Sequence, residues 1–174
     1  CAELGIPLLV TPFTLEGAMA PVTLPGALSL QHAEALVGIA LHQLTRPGAP
    51  VGYGSFTSNV DMRSGSPAFG TPEYMRATQM TGQMARFYGV PWRTSNTLGG
   101  AKTFDAQAGY ESAMTMNAVL MAGANYIWHS AGWNEAGMHC STAKFIVDAE
   151  MCAMGYKMAQ GINWDDFSEA LQAV

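Results

Sequence analysis

A histidine, a glutamate and two tryptophans crowd into the run Trp128-His129-Ser130-Ala131-Gly132-Trp133-Asn134-Glu135, an unusual mixture for so polar a segment. Aromatic faces, tryptophan foremost, attract a quaternary or tertiary ammonium through the ring quadrupole, and a nearby carboxylate supplies the opposite charge. Trp133 and Glu135 suit that role with His129 beside them, whereas Trp128 reads mostly as a core side chain. A second polar segment, residues 55–70, is rich in glycine and serine and longer than a minimal connection needs to be. Thr57, Ser58 and Asn59 stand closest to its start. Asp61 is a carboxylate for a cation or, equally, the partner of Arg63. A third run, residues 94–104, contributes Asn96 and places Gly99-Gly100 before a helix, but neither P-loop nor GxGxxG spacing accompanies that pair. The expected ligand-binding set is Thr57, Asn59, Asp61, Asn96, His129, Trp133 and Glu135, with no residue singled out as catalytic.

Other chemistries fit these residues less well. His139-Cys140 and Cys152 lack the CxxC or HxxxH spacing of zinc sites, and Cys152 lies mid-helix among Met151, Ala153 and Met154, so no bound metal is expected. His129 and Ser130 cannot form a nucleophile dyad from one strand, because neighbouring side chains there point to opposite faces. Lys102 as a Schiff-base amine would make the chain a barrel lyase. That chemistry needs a desolvated amine, and Lys102 sits in a glycine-rich loop just before a helix.

These loops follow strand-like runs at residues 6–10, 50–53, 90–93 and 125–128. The runs start roughly 35 to 45 residues apart, the length of one strand–helix unit with a generous loop. Parallel strands need such crossovers, and they send every strand-to-helix loop to one end of the sheet. The helices have recognisable ends. Ser29 reads as the cap of a helix running to Leu44. Thr71-Pro72-Glu73 opens a second that ends at Tyr88 before Gly89. Asp105 caps a third, which runs to Met121 and stops at Gly123, with Glu111 two turns in and facing another helix. Ser141-Thr142 begins a fourth that reaches about Gln160, with Gly161 as its stop, and a short acidic helix starts at Asp165. The expected fold is α/β, a parallel (β/α)8 TIM-type barrel of which residues 1–174 supply about four units as a single partial domain. The opening at Cys1 without an initiator Met fits a fragment.

Hydrophobic residues make up 49% of the chain, enough for a core, and no apolar run is long enough to span a bilayer. Charged residues are only 12%, which suggests that further chain or partners cover much of the surface, a homo-oligomer among the options. A net charge of −5 argues against nucleic acid and suits a cationic ligand. Three unpaired cysteines and the lack of a visible leader point to the cytoplasm.

Five segments in order carry a family resemblance: Ala20-Pro21-Val22-Thr23-Leu24-Pro25-Gly26, Asp61-Met62-Arg63-Ser64-Gly65, Gly70-Thr71-Pro72-Glu73, Asp105-Ala106-Gln107-Ala108-Gly109-Tyr110-Glu111-Ser112 and Lys144-Phe145-Ile146-Val147-Asp148-Ala149-Glu150. Together they resemble the trimethylamine methyltransferase family of corrinoid-dependent methyltransferases. The resemblance implies a central-to-C-terminal piece of an eight-stranded βα barrel. It also implies methyl transfer from a methylated amine to the Co(I) form of cobalamin carried by a separate corrinoid protein. Trimethylamine-specific members use pyrrolysine, and this chain has only standard residues. It is therefore similar to the branch acting on quaternary amines such as glycine betaine. A non-catalytic betaine-binding module is the alternative from another class, and the Lys102 lyase is the alternative among enzymes.

Overall fold

The computed structural model describes residues 1–162 and 172, so the acidic helix expected from Asp165 lies outside the described residues. In chain order the elements are β1 (Leu8–Val10), β2 (Leu15–Glu16), α1 (Leu24–Thr45), β3 (Val51–Gly54), β4 (Ser58–Asn59), α2 (Pro72–Tyr88), β5 (Trp92–Ser95), α3 (Ala106–Met121), β6 (Tyr126–Trp128), β7 (Trp133–Asn134), a 3-10 turn (Glu135–Gly137), β8 (His139–Cys140) and α4 (Thr142–Ala159). The main sheet has the order β1-β3-β5-β6, and every pair in it is parallel. Leu8 lies beside Val51, Tyr53 beside Trp92, and Arg93 beside Tyr126. Each helix packs on the next, α1 on α2, α2 on α3 and α3 on α4, so the helices form one layer. The fold is therefore α/β with a parallel sheet, as the spacing of the strand-like runs implies. Among the described residues no helix is long and apolar enough to cross a membrane.

The core between sheet and helices depends on pairing large with small. Tyr53 and Trp92 point into the helix layer and meet Ala35, Ala85 and Ala122, all of them buried. Alternation along β5 and β6 places Arg93, Tyr126 and Trp128 on the opposite face. There the Arg93 guanidinium lies 4.5 Å from the centre of the Trp128 ring. Trp128 is 45% exposed on the edge strand of this sheet, on the face without helices.

Three helix starts follow the expected caps. The Thr71 hydroxyl accepts from the Tyr74 N–H at 3.4 Å, Asp105 Oδ1 from the Ala108 N–H at 3.1 Å, and Ser141 Oγ from the Lys144 N–H at 3.3 Å. Gly89 closes α2 in the left-handed region at φ 64°, where a side chain is unwelcome. The first helix differs. It begins at Leu24 after Thr23, with Pro25 in its first turn, where a fixed φ helps initiation and the missing N–H costs nothing. Ser29 is consequently inside the helix, and its hydroxyl donates back to the Pro25 carbonyl at 2.8 Å.

Two small pairings brace the loops at the C-terminal ends of the strands. β2 pairs with β4 in parallel, and β7 pairs with β8 antiparallel, setting Trp133 beside Cys140.

Gly82 lets α2 settle against the sheet. A Cβ there would lie 2.8 Å from both the Ala122 carbonyl oxygen and the Trp92 ring. Gly82→Ala should lower stability by about 1–3 kcal/mol through overpacking. Urea unfolding of the protein should then show a lower midpoint at unchanged slope, and an unchanged midpoint would refute this packing.

Candidate ligand-binding site

At the C-terminal end of the sheet, loops from four strands enclose a cavity of about 220 Å³, lined chiefly by Phe13, Phe56, Phe69, Leu98, His129 and Trp133. The volume suits a ligand smaller than drug-sized molecules. Phe56 is the hub. Its ring centre lies 5.1 Å from that of Phe13, 5.0 Å from Phe69 and 5.6 Å from His129. Trp133 stands edge to face with His129 at 6.0 Å. Beneath them Phe69, Tyr74 and Leu98 form a buried cluster, and the Tyr74 hydroxyl donates to the Ser95 carbonyl. Burial holds that phenol protonated well above its ordinary pKa.

His129 is fixed in an unusual conformation, with φ at 57°. Its Nδ1 lies 3.0 Å from Ser95 Oγ, and its carbonyl accepts from the Thr97 hydroxyl at 2.6 Å. Left-handed backbone is uncommon outside glycine and survives only where the surroundings over-determine it. Burial, and secondarily the nearby Arg93 charge, lowers the pKa of the imidazole. The ring therefore favours the neutral form and adds no positive charge to the cavity wall.

A second cavity of about 350 Å³ adjoins the first through shared Pro67, Phe69 and Ala136. Its polar lining includes Asp61, Lys102, Gln107, Glu111 and Glu135. Glu135 lies 3.9 Å from Lys102 and 3.5 Å from His139. Asp61 is exposed and accepts from the Arg63 backbone N–H at 3.0 Å and the Ser64 hydroxyl at 2.7 Å, and these bonds lower its carboxyl pKa. Its partner in residue 63 is thus the main chain. Glu111 faces the loop instead of another helix. It accepts from the Ala101 N–H at 3.2 Å and from Gln107 Nε2 at 2.8 Å. A side chain at Gly70 or Gly99 would collide with Glu111, which explains glycine at both places without any phosphate.

Four of the seven residues expected at the site thus line the two cavities: His129 and Trp133 the aromatic one, Asp61 and Glu135 the polar one. Thr57, Asn59 and Asn96 line neither. The Thr57 hydroxyl bonds to Gln31 and Thr14, and Asn59 Oδ1 accepts from the Thr71 hydroxyl at 2.9 Å. Asn96 is wholly buried, accepting from Ser130 Oγ at 2.8 Å and donating to the Met116 sulfur at 3.0 Å. Being nearest the strand ends, these polar groups support the loops from below. The three phenylalanines were not among the expected residues. Their signal was a large aromatic side chain isolated in an otherwise polar loop.

The site is thus an aromatic cavity adjoining a polar one that carries Asp61, Glu111, Glu135 and Lys102, both at the C-terminal end of a parallel α/β sheet. The sequence model of the family described as trimethylamine methyltransferase (MTTB) matches residues 1–174, and the chain belongs to that family. It is 42% identical over 173 residues to a glycine betaine methyltransferase of Desulfitobacterium hafniense (strain Y51), covering 99% of this chain and 36% of that protein. It is 38% identical to trimethylamine methyltransferase MttB of Methanosarcina barkeri, covering 99% of this chain and 35% of that one. The chain thus spans about a third of the length of these relatives.

The neutral state of His129 has a pH signature. The unfolded imidazole titrates near about 6.5, and the folded one below it. Its contribution to stability is full above the unfolded value and is lost as pH falls from there through the folded-state pKa. Histidine-ring NMR should place the His129 midpoint below that of a model peptide, and His129→Gln should flatten part of the acid-side loss of stability. A midpoint at or above the model value would refute the environment described.

Proposed function

We propose that the aromatic cavity receives the methylated ammonium of a small amine. The protein then transfers one methyl group from it to Co(I) cobalamin carried by a corrinoid protein. The observation that carries this reading is the ring of Phe13, Phe56, Phe69 and Trp133 around one small cavity, with neutral His129 in its wall. Membership of the family supports the reaction class. The sequential parallel sheet with one helix layer supports its reading as part of a closed (β/α)8 barrel, with Tyr126 and Trp128 facing the barrel interior. The corrinoid protein would approach the loop end, where the cavity lies.

A quaternary amine such as glycine betaine is the preferred substrate. In the transfer the C–N bond breaks with its electron pair left on nitrogen, while the Co(I) pair forms the bond to the methyl carbon. The departing tertiary amine is neutral, so no proton is required. The site need only hold and orient the methyl group. Trimethylamine would need prior activation, because its nitrogen does not carry the positive charge that lets the amine leave neutral. The lyase alternative is weakened by Lys102, which is 80% exposed and faces Glu135.

The test uses the full-length protein with Co(I) cobalamin. Glycine betaine or a related quaternary amine should yield methylcobalamin, and trimethylamine should yield little. Trp133→Ala should weaken substrate binding about thirtyfold, the equivalent of a desolvated cation–π contact of about 2 kcal/mol. Glu135→Gln should weaken it in the same direction. Tight binding without methyl transfer would favour the binding-module alternative, and efficient turnover of trimethylamine alone would assign the other branch of the family.

A further inference from the structure

The cavity lining is held by an ion pair that does not touch the cavity. Lys144 and Asp148, one turn apart on α4, are both buried, Lys144 completely. Such an (i, i+4) pair reads in sequence as a solvated helix surface. Here every proton of the ammonium is used. Lys144 Nζ donates to Asp148, to the Ser112 hydroxyl at 2.9 Å and to the Thr97 carbonyl at 3.3 Å. Asp148 Oδ2 also accepts from the Gly132 N–H at 2.8 Å.

The two backbone groups it grips are the ones next to the aromatic wall. Thr97 has φ at 55°, and its hydroxyl holds the carbonyl of His129, itself at φ 57°. Gly132, at φ 85°, immediately precedes Trp133. Asp148 takes its N–H, and its carbonyl accepts from the Ser141 N–H at 2.8 Å. A Cβ on Gly132 would lie 3.1 Å from the Phe145 Cβ, so α4 also presses on this turn directly. Left-handed positions at Thr97 and His129 need such external restraint. A fully satisfied buried pair supplies it with little freedom to shift, whereas an apolar pair of similar volume would provide the packing without the grip.

We propose that Lys144 and Asp148 are positioning residues that set the placement of His129 and Trp133, and through them the affinity of the cavity for methylammonium groups. The affinity part rests on the function proposed above, while the placement part does not.

Single replacements that strand one buried charge endanger folding, so the test compares two double variants in the full-length protein. Lys144→Met with Asp148→Leu removes both grips and keeps the apolar volume. Lys144→Met with Asp148→Asn restores an uncharged acceptor for the Gly132 N–H. The signal of Trp133 is isolated by subtracting the fluorescence of each variant's Trp133→Phe derivative. The Leu-containing variant should show a red-shifted Trp133 and bind tetramethylammonium about tenfold more weakly, a modest loss for a displaced binding group. The Asn-containing variant should recover much of the Trp133 spectrum and of the affinity. Equal behaviour of the two variants, or a Trp133 spectrum unchanged in both, would overturn the positioning role. Failure of the wild-type protein to bind tetramethylammonium would count against the proposed function, and the Trp133 spectra would still decide whether this pair positions the wall.

Discussion

Parallel pairing of β1, β3, β5 and β6 in sequential order is the constraint from which the rest of the architecture follows. Strands that all run the same way need a crossover between each pair, and helices of 16 to 22 residues supply it. The crossovers send every strand-to-helix loop to one end. Phe13, Phe56, Phe69, His129 and Trp133 are scattered through the chain, yet they meet in one cavity because each follows a strand of this sheet. No local preference of the loops would bring them together.

Magnitudes separate the roles of the two neighbouring cavities. Asp61 is exposed and the Glu135 side chain nearly half exposed, and a solvated charge pair contributes about 0–1 kcal/mol. An ammonium seated against desolvated aromatic faces gains about 2 kcal/mol. On the proposed function, affinity for a methylated cation would therefore reside in the aromatic wall. The acidic cavity would contribute orientation and long-range attraction, which salt screens. Such a wall is useful only if its rings are held in advance, because ordering them on binding would consume the gain. The hydrogen bonds on His129, Thr97 and Gly132 do that holding, and they account for so many buried polar groups beneath an apolar site.

What was legible in the sequence was local. Thr71, Asp105, Ser141 and Gly89 end their helices as their side chains and backbone freedom dictate. The parallel order followed from strand spacing, a property of chain length between strands. Ser29 misled because Pro25, four residues earlier, was an equally good start signal and lies closer to Thr23. What was missed elsewhere was non-local. Glu111 turns inward because Gly70 and Gly99 leave room for it. Lys144 and Asp148 are buried because the loops bearing Thr97 and Gly132 fold over them. Thr57, Asn59 and Asn96 were rightly placed near the strand ends, but proximity to a strand end made them supports and not cavity lining.

The most direct test of the account is a crystal structure of the full-length protein with glycine betaine or tetramethylammonium bound. The account places the quaternary nitrogen in the aromatic cavity, within about 6 Å of the ring centres of Trp133 and Phe56, the reach of a cation–π contact. A ligand bound elsewhere, for instance against Trp128 on the opposite face of the sheet, would contradict it.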